Sequence, residues 1–166
     1  MSRVSLISFL VVFLLVHAYF PANCWPNGAP VNVCDDMTPR HGQNRPKPSR
    51  YSPYQITQSA NSYEPGDVLQ VTIRGTRETP FEGLMVKAYD PETGRPIGSF
   101  KGGLGLKTLE DQGCLAITHK DSLPKKAAVI HWVAPNFSGQ VAFKTTIVEN
   151  FNNYFTNLDA IVDQRL

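Results

Sequence analysis

Residues 34–42 read Cys34-Asp35-Asp36-Met37-Thr38-Pro39-Arg40-His41-Gly42, so a thiol, two carboxylates, a thioether and an imidazole crowd into one short stretch. Such side chains ligate metals or exchange protons when they converge. Their spacing here matches no zinc site, and the chain has no Cys-x-x-Cys and no His-x-x-x-His. His119 follows the segment that carries Cys114, so a Cys34–Cys114 bridge would bring it towards His41. His41 and His119 are therefore the candidate metal ligands. The plainer reading has each imidazole bonded to backbone or water, with no metal bound.

Nucleophilic catalysis fares no better. A hydrolase needs a nucleophile within hydrogen-bond reach of a base. No Gly-x-Ser-x-Gly occurs, and the histidines at 41, 119 and 131, beyond the apolar N-terminal run, carry little weight by themselves among many serines and threonines. His131 alternates with Trp132 in an apolar segment; the indole is the better core residue, which turns His131 outward. A copper monooxygenase that uses an N-terminal histidine fails as well, because the plausible cuts leave Tyr19 or Trp25 first. The sequence assigns no catalytic residue and no cofactor.

The elements that must hold these residues begin with the N-terminus. Arg3 precedes the run "VSLISFLVVFLLV" over 4–16, which is the length of a signal-peptide core. It falls short of the ~20 residues that span a bilayer. Small residues suit cleavage after Ala18 or after Cys24. The cysteines are Cys24, Cys34 and Cys114, and only the later cut leaves an even set for an oxidising compartment. Residues 1–24 are thus expected to be a signal peptide, and 25–166 a single secreted domain with a Cys34–Cys114 disulfide. No second apolar run of that length follows, so no stable membrane insertion is expected.

The net charge of +2 gives no reason to expect nucleic acid or an anionic membrane as partner. One sequon, Asn136-Phe137-Ser138, sits between Pro135 and Gly139, a turn-like setting for a glycan on Asn136.

From Trp25 to Pro53 the chain is rich in proline and shows no apolar periodicity, an extended lead-in that needs an anchor. Beyond it the period is two. "DVLQVTIR" (67–74) puts Leu69, Val71 and Ile73 on one face, and "LMVKAY" (84–89) does so with Leu84, Val86 and Ala88. "CLAIT" (114–118) and "QVAFKTTIV" (140–148) are further strands, while 54–58 and 97–100 carry weaker signals. "AAVIHWVA" (127–134) is nearly all apolar and predicts a strand covered on both sides. Turns rich in Pro, Gly, Asp and Asn link these segments, and the pattern indicates an antiparallel β-sandwich. The Gly102-Gly103-Leu104-Gly105 stretch reads as a loop. The tail 151–161 suits one or two helical turns or an irregular edge.

In order along the chain, "GAPVNVCDDMTPRHG", "SPYQI", "YEPGDVLQVTI", "FEGLMVKAYD", Cys114, "ITH", "HWVAP" and "GQVAFKTTIV" resemble the reeler domain family, and within it the small secreted insect defense proteins. The resemblance spans residues 28–155. It implies an immunoglobulin-like β-sandwich, the same Cys34–Cys114 pair, and an innate-immune role in haemolymph with induction by bacteria and antimicrobial action. It brings no catalytic residue. Trp132 lies after both cysteines rather than between them, so the strand topology need not be that of antibody domains. The expected partner is a microbial surface component or an immune partner. The alternative is an adhesion module of extracellular matrix or cell surface.

Overall fold

Strict alternation makes the segment Val68–Gly75 (β3) a half-buried strand: Leu69, Val71 and Ile73 are buried while the residues between them are not. The computed structural model describes residues 25–163, so the expected signal peptide and its cleavage site lie outside the described residues. The other strands are β1 (Tyr54–Gln58), β2 (Ser62–Tyr63), β4 (Gly83–Tyr89), β5 (Ser99–Lys101), β6 (Leu106–Leu109), β7 (Cys114–His119), β8 (Ala127–Val133), β9 (Gly139–Gln140), β10 (Ala142–Asn150), β11 (Asn153–Asp159) and β12 (Ile161–Val162).

Two five-stranded sheets form the sandwich, ordered β12-β1-β3-β8-β5 and β11-β10-β4-β7-β6, and β2 pairs with β9 as a small third sheet. The pairs are antiparallel except for β1 with β12, where a short parallel edge is added to the first sheet. Val71, Ile73, Ile130 and Trp132 from the first sheet meet Leu84, Val86, Ile117, Phe143 and Ile147 from the second in one core. Each such side chain contributes about 1.5–3 kcal/mol by leaving water.

The strand covered on both sides is not the one the sequence indicates. In β8 the alternate residues Ala127, Val129 and His131 are exposed, so its outer face meets solvent. The doubly covered strands are β4, where Leu84, Met85 and Val86 are all buried, and β7. The reason is the lead-in, which lies across the outer face of the second sheet. Val33 and Met37 pack there with Met85, Leu109, Cys114 and Ala116 in a second apolar cluster. The lead-in chose this face, and small apolar residues on β8 remained in water.

The tail takes the second of the two expected forms, an irregular edge: it is a strand at the margin of the second sheet rather than helical turns. β11 pairs with β10 through two irregularities in register, and Asn157 adopts a left-handed conformation (φ 55°). These breaks change the phase of the apolar residues and imitate a helical spacing. Tyr154 also faces the lead-in, donating from its hydroxyl to the Asn44 carbonyl at 3.0 Å, whereas Phe155 faces the main core.

Candidate functional site

The lead-in and the second sheet enclose a narrow, mainly apolar cleft with about 50 Å³ of room for water-sized molecules. Trp25, Pro30, Val33, Met37 and His41 form one wall, and Leu84, Met85, His119, Thr146 and Val148 the other. Both histidines singled out from the sequence therefore line one cleft.

The wall is held by side-chain bonds that substitute for strand pairing. Cys34 and Cys114 are joined by a disulfide across 80 residues of sequence. The Thr146 hydroxyl donates to the Met37 carbonyl at 2.7 Å, and Lys87 Nζ donates to the Cys34 carbonyl at 2.8 Å. Thr118 accepts from the Ala29 amide at 2.9 Å and donates to the Leu84 carbonyl at 2.8 Å, linking the lead-in to β4 and β7. Asp36 and Arg40 form an exposed ion pair at 2.8 Å, which holds only their own turn.

His119 spans the start of the lead-in and β4. Its Nδ1 accepts from the Leu84 amide at 3.2 Å, so Nε2–H donates to the Trp25 carbonyl at 3.2 Å. Gly83 makes room for the ring, since a Cβ there would lie 2.9 Å from His119 Cε1. Burial lowers the pKa of His119 below the ordinary 6.5, against the opposing effect of the Leu84 and Trp25 carbonyls beside its ring nitrogens, which favour the protonated ring. His41 Nδ1–H donates to the Phe151 carbonyl at 3.0 Å, and the ring stacks on Phe151 at 5.0 Å between centroids. Its pKa is also lowered, by burial first, with the bond to Phe151 opposing.

Among the described residues no group of three or more His, Cys, Asp or Glu side chains converges as a metal site would require. Each imidazole is occupied with backbone. His131 is exposed on β8, and Asn136 is exposed in the turn after it. What sequence reasoning missed are the positioning residues Trp25, Gly83, Thr118 and Thr146. No local motif marks them, because each matters through a contact distant in sequence.

A family model for the Reeler domain matches residues 32–165. The chain belongs to the Reeler domain family. It is 32% identical over 138 residues to "Putative defense protein Hdd11" of Hyphantria cunea, covering 78% of this chain and 81% of that one. It is also 32% identical over 152 residues to "Ferric-chelate reductase 1" of Bos taurus, covering 87% of this chain and 24% of the reductase. The chain thus spans about a quarter of the length of the reductases it matches. The crystal structure of the human F-spondin reeler domain aligns with a TM-score of 0.56 at 18% identity, over 78% of this chain and 92% of that one. That likeness agrees with the sandwich architecture of this reeler domain.

Proposed function

We propose that this reeler domain is a secreted, non-enzymatic innate-immune protein that acts by binding a microbial surface component or an immune partner. The observation that carries the reading is its match to the defense protein of Hyphantria cunea over about four-fifths of both chains. The match to the ferric-chelate reductases is as strong in identity, yet it covers a quarter of those proteins, so their name describes a much larger whole. The arrangement of the cleft supports a binding role. Cys34 and Cys114 are joined to one another and both cleft histidines are bonded to backbone, so these groups serve to hold the lead-in. No helix among the described residues is long and apolar enough to cross a membrane.

The test measures retention of the purified protein on washed bacterial cells, together with its abundance before and after bacterial challenge. Saturable retention and a rise in abundance are the expected result. Constitutive deposition in matrix without retention on cells would favour the adhesion reading. Turnover of ferric chelate by the purified chain would overturn its non-enzymatic part.

A further inference from the structure

Three turns meet at one end of the sandwich. The loop 102–105 passes from one sheet to the other, and its Gly105 carbonyl accepts from the Lys120 amide at 2.8 Å, joining it to the turn that follows β7. The start of the lead-in reaches the same end through the Trp25–His119 bond. Leu104 is fully exposed, Leu123 is 69% exposed and Trp25 42%.

A single exposed apolar side chain needs no explanation. Here three sit on neighbouring turns at the same end, and their charged surroundings are of one predominant sign. Lys125 is tied to Asp121 at 2.9 Å, and Lys126 is paired with Glu78. Lys101, Lys107 and Lys120 take part in none of the ion pairs among the described residues. Glu82 is the neighbouring acid, and it is half-buried at the cleft. Apolar tips among unpaired cations suit an interface with apolar depth and a negative surface.

We propose that this end of the sandwich docks on an anionic phospholipid bilayer. Leu104 and Leu123 enter the headgroup boundary, Trp25 lies at its level, and Lys101, Lys107 and Lys120 face the phosphates. The contact is peripheral. It deepens the surface-binding reading above, on which it rests, by naming the face and the chemistry that would be recognised.

Co-sedimentation of the intact secreted protein with phosphatidylcholine vesicles, with and without phosphatidylglycerol, tests the proposal. Binding is expected only to the anionic vesicles and is expected to weaken as salt rises. Leu104→Ser with Leu123→Ser should lower partitioning by about ten-fold per leucine. Lys120→Ala should lower it about five-fold. Leu104→Ser alone, at a side chain outside the core, guards against loss of the fold. Equal binding to neutral vesicles, unchanged binding by the leucine variants, or self-association abolished by those same changes would overturn the proposal. Retention on bacteria without vesicle binding would end this inference and leave the defence reading standing. Vesicle binding without retention on bacteria would do the reverse.

Discussion

The Leu84 amide donates to Nδ1 of His119 at 3.2 Å, at the point where the β4–β7 ladder ends at the Met85–Thr118 pair. The imidazole takes over from a strand neighbour. It can accept this bond only while Nδ1 is unprotonated, and its Nε2–H donates to the Trp25 carbonyl at the start of the lead-in.

Acid should loosen this region, because protonation costs the Leu84 amide its acceptor and charges a buried ring. Burial holds the folded-state pKa of His119 and His41 below 6.5, so the unfolded chain binds protons more readily than the folded one. Their contribution is complete above the unfolded value and declines as pH falls through it towards the folded value. Around His119, Lys125 adds to the lowering and Asp121 opposes it. Between neutral pH and mild acid the melting temperature should fall, and proteolysis within 25–53 should accelerate. His119→Gln should flatten that pH dependence. An equally steep profile in the variant would assign it to other groups.

The disulfide should carry much of the stability. Closing a loop of 80 residues stabilises by about 4–5 kcal/mol on the chain-entropy model. Cys34→Ser with Cys114→Ser should lower the melting temperature by about 10 °C or more and expose the lead-in to protease. Unchanged melting would show that Val33, Met37 and the threonine bonds hold the lead-in by themselves.

Thr145 presents a different opportunity. It lies wholly buried on β10, and its hydroxyl has no hydrogen-bond partner. Thr145→Val keeps the shape and removes the unpaired polar group, so calorimetry should show a gain of about 1 kcal/mol. A loss would mean that the hydroxyl is satisfied in solution.

Gly98 separates backbone strain from steric clash. It has φ +65°, and a Cβ would stand 2.3 Å from the Trp132 indole, whose Nε1–H donates to the Ile97 carbonyl at 3.0 Å. Gly94 has a similar φ of +69° with nothing within 4 Å of its Cβ position. Gly94→Ala should cost about 1 kcal/mol, from conformation alone. Gly98→Ala should cost several times that and alter the Trp132 fluorescence. Equal costs would show that the indole moves aside freely.

Local pattern was enough for the strands of the main core. In β3 apolar side chains alternate because one face is buried, and in β4 and β10 the inward residues Leu84, Val86, Ala88, Phe143 and Ile147 still recur with a period of two, although the outer face is partly covered as well. Counting cysteines likewise pointed to the Cys34–Cys114 pair, and size assigned Trp132 to the core. Which outer face the lead-in covers was not legible. A strand such as β8, whose exposed face carries Ala127 and Val129, looks the same in sequence as one covered twice. The bulged β11 could not be read either, because its register breaks destroy the period that would reveal it.

The sequence by itself determined an antiparallel sandwich with a proline-rich lead-in, since alternation, turn residues and proline content are local or countable properties. Only the tertiary structure decided what the rest of "CDDMTPRHG" does once Cys34 is bonded to Cys114. Met37 is buried against β4, and His41 stacks on Phe151 in a cleft with His119. It likewise gathered Trp25, Leu104 and Leu123 at one end. These residues are separated by up to about a hundred positions in sequence, so their meeting is set by how the sheets and lead-in pack rather than by local propensity.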